Sequence, residues 1–456
     1  MPKFFGTSGI RGNVREKVTS KLALKLGNTI SNYLKSTGTI SIGYDNRTSN
    51  IMLEKALISG IISGGCDAAL LGLVPLPVLA YGTKMIHATT GIMITASHNP
   101  AQDNGFKLFA PNGQEYLPSE EKIIEDNLSL NSSNIHSNNK IGFIKTFTEV
   151  SKEYINSVLD RIPPITKKIK VIIDCANGTA SNFTPQLLSK IGCTVLSLNT
   201  NIDGTFPGHL PEPSQENLNC LIEIVKSSGA NIGFAHDCDA DRVAVIDENG
   251  NFVVNDRIIA LFAKRKLQEH GSGTIITSID TSACIDDVVL PLSGKIKRVN
   301  LGQTYTHLKE DKVILAAEPW KIIDPLWGMW PDGIYTASKL ISLLEKDGSN
   351  LNDLLKDIPN YPQMRLNFSC PEATKQKVME TIIANPPNNE DIQDTWSFDG
   401  VRFNYVDGSW ILFRASGTEP KIRLCCEAKS TDKVRQLTDK GIVLITKSIH
   451  SMKKSA

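Results

Sequence analysis

Apolar and polar positions fall into a unit that recurs three times along the chain. An apolar run of strand length enters a polar turn, a helix-length segment follows, and a second apolar run closes the unit. The first copy is ISIGYDNRTSN from Ile40, then Met52 to Ser63, then Gly65-Cys66 and the run Ala68 to Leu73. The second is KVIIDCANGTASN from Lys170, then Phe183 to Lys190, then Gly192-Cys193 and Thr194 to Leu198. The third is TIITSIDTSACI from Thr274, then Asp286 to Leu292 and Ile296 to Leu301. Gly65 and Gly192 stand where a glycine closes a helix. Strand–helix–strand order predicts parallel strands joined by right-handed crossovers. Three such units predict three related α/β domains with mixed sheets in place of one large sheet. After KDIPNYPQM, from Lys356, the pattern changes to strand-like runs separated by Asp-Gly turns in WSFDGVRFNYVDGSWILFRASGTEP, which predicts a smaller α+β domain built from hairpins. Composition shifts place the four domains at 1–148, 149–248, 249–362 and 363–456, with NLSLNSSNIHSNN (Asn127 to Asn139) as a polar loop inside the first.

Composition narrows the function without naming it. The chain has 456 residues, 41% hydrophobic and 21% charged, with a formal net charge of +1. That balance carries no broad footprint for nucleic acid or an anionic membrane. No apolar stretch reaches the length of a transmembrane helix, and MPKFFGTSGIRG has no apolar secretory core. Nine scattered cysteines with no CxxC pair read as reduced, buried thiols. The expectation is a cytoplasmic protein, monomeric or homodimeric, in which the sequon at Asn46 has no meaning.

The densest local chemistry is AHDCDADRVAVIDE. Asp237, Asp239 and Asp241, spaced by two, repel one another unless a cation offsets their charge. Hard oxygen ligands suit Mg²⁺ or Ca²⁺; the plain alternative is a solvated acidic turn. An EF-hand fits the spacing of these aspartates with Glu248, but its obligatory glycine is replaced by Arg242, and the flanks NIGFA and VAVI predict strands. RASGTEPKIR, Arg414 to Arg423, combines Ser416, Gly417 and Thr418 in a turn able to form an anion nest between two arginines. FGTSGIRG lacks a preceding strand and predicts a glycine-rich turn, not a dinucleotide fingerprint. In GIMITASHNP, Ser97 ends an apolar run. His98 follows it directly, a poor geometry for a nucleophile–base pair, and no G-x-S-x-G elbow is present.

Taken in order, FGTSGIRG, GYDNR, TASHNP with NGFKLF, DCANG, DGTFPGHLPEP, DCDADR and RASGTEPKIR resemble the α-D-phosphohexomutase family across essentially the whole chain. The resemblance implies four domains around one central cleft. It implies a phosphoserine at Ser97 that exchanges its phosphoryl group with a sugar phosphate through a bisphosphorylated intermediate. Asp237, Asp239, Asp241 and the phosphorylated Ser97 would hold one Mg²⁺. Arg11 and Lys107 would stabilise charge or move the proton, His98 would support the serine loop, and Arg242 would flank the metal. Arg414, Ser416, Gly417, Thr418 and Arg423 would grip the non-transferring phosphate. A sugar bisphosphate would serve as activator.

Two departures stand out. Cys238 replaces a common glycine in the metal loop. The sugar-recognition loop keeps Glu318, but Pro319, Trp320 and Lys321 follow it in place of the family's serine and histidine. Glu318 would accept hydrogen bonds from sugar hydroxyls, and Trp320 would stack on a sugar face or belong to the core. The GEP-like form of this loop is similar to archaeal members described as phosphoglucosamine mutases, which makes glucosamine 6-phosphate and 1-phosphate the lead substrates. Phosphomannose, phosphoglucose and a phosphopentose are the alternatives. A phosphatase and a non-catalytic phosphosugar-binding protein are the competing readings of another class.

Overall fold

The computed structural model describes residues 4–6, 8–129, 141–347, 350–387, 391–417 and 420–454. They fall into two compact units, Met1–Asn255 with Trp320–Lys356, and Asp256–Pro319 with Asp357–Ala456.

In the first unit, Thr39–Tyr44 lies between two parallel partners, Asp67–Leu73 and Thr90–Ile94. Lys170–Asp174 likewise lies between Thr194–Leu198 and Ile232–His236. In the second unit, Thr274–Ser278 lies between Lys295–Val299 and Val313–Glu318. Each repeat therefore places its first strand in the middle, its second on one side and its third on the other. The helices Asn50–Ser63 and Thr184–Ile191 make the first two crossovers, and a short helix, Cys284–Val289, makes the third. Gly65 and Gly192 both carry positive φ, +87° and +114°, just past their helices. The third strands Thr90–Ile94 and Ile232–His236 are buried along their whole length, as sheets covered on both faces require.

Each third strand in the first unit then turns back antiparallel. Thr90–Ile94 pairs with Asp103–Phe109, and Ile232–His236 pairs with Val243–Ile246. FGTSGIRG departs from the sequence expectation: Gly9–Asn13 is a strand, paired antiparallel with Asp103–Phe109. A local pattern dominated by glycine does not announce a strand whose partner lies about a hundred residues away.

The tail is an antiparallel sheet in the order Gln363–Ser369, Lys421–Glu427, Trp410–Ala415, Val401–Tyr405, Ile392–Trp396. Both Asp-Gly turns are hairpin corners, with Gly400 and Gly408 at φ +85° and +84°. The helices Glu372–Ala384 and Thr431–Lys454 accompany the sheet. No described helix is long and apolar enough to cross a membrane. All nine cysteines are unpaired, and only Cys220 is exposed.

Asp332 ties the 320–356 segment into the first unit. Its carboxylate accepts from Tyr154 Oη at 2.8 Å, Trp327 Nε1 at 2.7 Å, Trp330 Nε1 at 3.4 Å and the Tyr335 amide at 2.8 Å. Trp327 stacks on Tyr335 with ring centroids 4.8 Å apart. Asp332→Ala strands these buried donors, each costing about 1–3 kcal/mol when unpaired. We expect a loss of at least about 3 kcal/mol, read as a lower urea midpoint with unchanged m-value.

Asp174, at the end of its strand, accepts from the Ala176 amide at 2.9 Å and Asn199 Nδ2 at 2.8 Å, and faces His209 Nε2 at 3.2 Å. Burial opposes both charges. The contact with His209 and these hydrogen bonds nonetheless hold Asp174 below its usual range, and Asp174 raises His209. The aspartate's contribution is lost as pH falls through its lowered pKa. The histidine's is complete below about 6.5 and is lost as pH rises through its raised pKa. Unfolding free energy should therefore fall as pH rises above about 6.5, and His209→Gln should remove that part of the slope.

Candidate active site

The Ser97 loop is built around a buried guanidinium. Arg47 Nη2 donates to the carbonyls of Ser97 at 2.6 Å and Asn99 at 2.7 Å. Its Nη1 donates to those of Pro100 at 2.6 Å and Asp103 at 2.9 Å, while Nε pairs with Asp45 at 3.1 Å. Five donors in a rigid fork suit this task. The Ser97 amide donates to Thr95 Oγ1 at 2.8 Å, and Ser97 itself is left-handed, with φ +50°. The adjoining strand can approach because residue 105 is glycine: a Cβ there would lie 2.2 Å from the Ile10 carbonyl oxygen and 2.7 Å from that of Thr95.

Asp237, Asp239 and Asp241 lie on the tight loop between the antiparallel strands Ile232–His236 and Val243–Ile246. Strands on both sides exclude an EF-hand. Leu76 N donates to the Asp239 carbonyl at 2.8 Å and Thr179 N to that of Cys238 at 2.9 Å. Gly178 permits the second approach, since a Cβ there would meet the Cys238 backbone at 2.6 Å. All three carboxylates are fully buried, with oxygens within 4.8 Å of one another. Ser97 Oγ donates to Asp237 Oδ2 at 2.7 Å. The serine loop and the acidic loop, 140 residues apart in sequence, thus meet through the two side chains expected to act together.

Lys107 Nζ lies 2.9 Å from Asp241 and 3.3 Å from Asp239, and Lys321 Nζ lies 3.0 Å from Asp241. Arg242 Nε stands 3.7 Å from Asp237. Burial and the charges of Asp239 and Asp241 push Asp237 well up. Burial acts the same way on Asp241, but Lys107, Lys321 and Arg242 outweigh it and hold that residue well down. Asp239 Oδ1 and Asp241 Oδ1 are buried without a hydrogen-bond partner among the described residues. Clustered hard oxygens with unsatisfied lone pairs fit a small divalent cation. Cys238 is no soft ligand here. Its thiol packs 2.8 Å from the Ser97 carbonyl oxygen and 3.2 Å from Asp45, and burial keeps it neutral.

His98 Nδ1 is 3.5 Å from Ser97 Oγ, at the outer limit of a hydrogen bond. Burial, then Arg242, Arg11 and Lys321, keep its ring neutral. Arg11 reaches Ser8 Oγ at 3.1 Å and Asn99 Oδ1 at 3.4 Å, and so borders the serine loop. Lys107 is buried, which opposes its charge, but Asp239 and Asp241 prevail and raise its pKa. Trp320 has φ +65°, its ring centroid lies 5.8 Å from the Arg242 guanidinium, and it packs against the core cluster that includes Ala235, Ala244 and Ile246.

The second unit holds the remaining candidates. Glu318 ends its strand and accepts from the Gly302 amide at 2.6 Å. Arg414 and Arg423 are directly opposite in the ladder between Trp410–Ala415 and Lys421–Glu427. Arg414 Nε donates to Asp399 at 2.8 Å, and the Ser416 carbonyl accepts from Lys375 Nζ at 2.6 Å. Gly417 is exposed, and Thr418 lies outside the described residues. Sequence reasoning gave no role to Asp45, Arg47, Thr95, Lys321 and Asp399. The first two sit in GYDNR at the end of a central strand, where α/β units carry their sites, so their position was a usable signal.

Residues 2–134, 152–250 and 255–361 match the phosphoglucomutase/phosphomannomutase alpha/beta/alpha domains I, II and III, and residues 366–441 match the C-terminal domain. A phosphopentomutase of Thermococcus kodakarensis is 40% identical over 99% of this chain and all of its own length. A protein of Methanothermobacter thermautotrophicus named probable phosphoglucosamine mutase is 40% identical over 96% of this chain and 97% of its own. Among solved structures, a phosphoglucomutase/phosphomannomutase family protein of Burkholderia thailandensis shares the fold at TM-score 0.87 and 24% identity over 98% of each chain. Aspergillus fumigatus N-acetylphosphoglucosamine mutase, solved with GlcNAc-6P and magnesium, shares it at TM-score 0.60 and 14% identity over 98% of this chain and 96% of that one. With all four domains in order and relatives of 40% identity along nearly the whole length, the chain belongs to the phosphoglucomutase/phosphomannomutase family of phosphosugar mutases.

Proposed function

We propose that the chain moves a phosphoryl group between two positions of a sugar through Ser97, with glucosamine 6-phosphate and 1-phosphate as substrates. The observation that carries this reading is the 2.7 Å contact between Ser97 Oγ and Asp237 beside two further buried aspartates. A serine meant only to cap a strand needs no such charge beside it. Asp237, Asp239, Asp241 and an oxygen of the phosphorylated serine would hold Mg²⁺, which when bound neutralises charge on the phosphoryl oxygens.

The bond from phosphorus to Ser97 Oγ breaks as the bond to the sugar hydroxyl oxygen forms. The bisphosphate then presents its other phosphate, and the serine is phosphorylated again. Arg11 and Arg242 would stabilise the phosphoryl oxygens, and His98, neutral, would support the loop. The hydroxyl proton would pass to Lys107, which accepts only when uncharged. Asp239 and Asp241 oppose that state here, and carboxylates committed to a cation oppose it less. Arg414, Ser416, Gly417, Thr418 and Arg423 would hold the phosphate that does not move, and Glu318 would meet the sugar. A sugar bisphosphate would prime the serine.

A phosphopentose is the second reading. It is favoured by the Thermococcus relative and by the loop after Glu318, which lacks the family's serine and histidine. A coupled assay across glucosamine, N-acetylglucosamine, glucose, mannose and pentose phosphates, with Mg²⁺ and the matching bisphosphate, decides between them. The highest kcat/KM should fall on glucosamine phosphate. A maximum on pentose phosphate overturns that assignment, and phosphate release without isomerisation overturns the mutase itself.

Ser97→Ala should lower turnover at least about a thousandfold and abolish the phosphorylated Ser97 peptide that mass spectrometry should detect in the wild type. Mg²⁺ at a hundred times its Kd should add about 2.7 kcal/mol of stability, read as a higher Tm. EDTA should reverse the gain, and Asp239→Asn should not show it.

A further inference from the structure

Asp399 belongs to none of the segments that carry the reaction, yet its carboxylate oxygen Oδ2 takes two donors of different origin. Arg414 Nε reaches it at 2.8 Å and the Leu301 amide at 3.0 Å. Asp399 sits in the hairpin turn between Ile392–Trp396 and Val401–Tyr405. The turn lies tight against the Arg414 strand because residue 400 is glycine: a Cβ there would be 2.2 Å from the Phe413 carbonyl oxygen and 3.0 Å from Arg414 Cα. Leu301 follows the strand Lys295–Val299, so the carboxylate is clamped from a second element. The next residue, Gly302, donates its amide to Glu318 at 2.6 Å.

Charge explains why a carboxylate stands there. Arg414 and Arg423 face each other across one ladder, and like charges directly opposite destabilise a strand pair. One carboxylate at Arg414 relieves the repulsion. The contact runs through Nε, so Asp399 fixes the side chain by the edge of the guanidinium nearest its stem. Asp399 and Arg414 are both largely shielded, with side chains 17% and 9% exposed, so removing one leaves the other unpaired at a greater cost than losing a surface bridge.

We propose that Asp399 is a positioning residue that holds Arg414 in the orientation needed to grip the non-transferring phosphate. This rests on the mutase reading given above. Its test is a double-mutant cycle on the full-length enzyme, using the phosphosugar that turns over best. Asp399→Ala should raise KM about tenfold with kcat within about twofold, and Asp399→Asn, which keeps an acceptor oxygen, about threefold. In an Arg414→Ala background, adding Asp399→Ala should change KM less than twofold. Multiplying losses in the double variant, or an unchanged KM in Asp399→Ala while Arg414→Ala raises it, would overturn the proposal. Should Asp399→Ala not fold, Asp399→Asn carries the same cycle. Should the wild type show neither turnover nor phosphoserine, the mutase reading fails by itself. The cycle is then read from Kd values for inorganic phosphate by calorimetry, where the same non-additivity supports Asp399 and independent effects refute it.

Discussion

Three carboxylates buried within 4.8 Å of one another set the terms for the first unit. Taking even one such charge out of water costs several kcal/mol unless it is paired, and three together add mutual repulsion. Lys107, Lys321 and Arg242 answer that demand from three separate stretches of chain. The strand pairings that bring those stretches together are therefore also electrostatic requirements. Lys107 arrives on the strand Asp103–Phe109, whose own approach depends on the missing side chain of Gly105. The charged centre and the sheet around it hold each other in place.

The three α/β repeats put their chemistry at one topological point. Thr90–Ile94 leads into Ser97, Ile232–His236 leads into Asp237, and Val313–Glu318 ends on Glu318. Each is the third strand of its repeat, lying beside the central first strand. The carboxyl ends of parallel strands are where open α/β sheets expose loops to ligands. One architecture thus offers the same position three times, and the side chains placed there differ: a hydroxyl, an acidic triad and a single carboxylate.

Much of this was legible in the linear pattern, and the limits have physical causes. The recurring strand–turn–helix–strand units carried their periodicity locally, as did the Asp-Gly hairpin corners of the tail. DxDxD announced its chemistry because like charges at close spacing need an explanation wherever they occur. Arg47 announced its place, in GYDNR at the end of a central strand, but not its task. Its role consists of bonds to four backbone carbonyls about fifty residues away, and backbone carbonyls leave no signature in composition. Lys321 was noted only as a replacement for a family residue, and its contact with Asp241 spans 80 positions of sequence. Gly9–Asn13 read as a turn because a strand rich in glycine is specified by its neighbour more than by itself.

The left-handed backbone at Ser97 narrows what the position can become. Side chains branched at Cβ are the most strained at positive φ. Threonine offers the same functional group, but its extra methyl would press on a backbone already pinned by Arg47 and Thr95. Glycine would relax the curl and remove the oxygen. Among residues bearing an alcohol on Cβ, serine is the one this bend accommodates, so the identity of the residue at position 97 is set by the shape of the chain as much as by any chemistry asked of it.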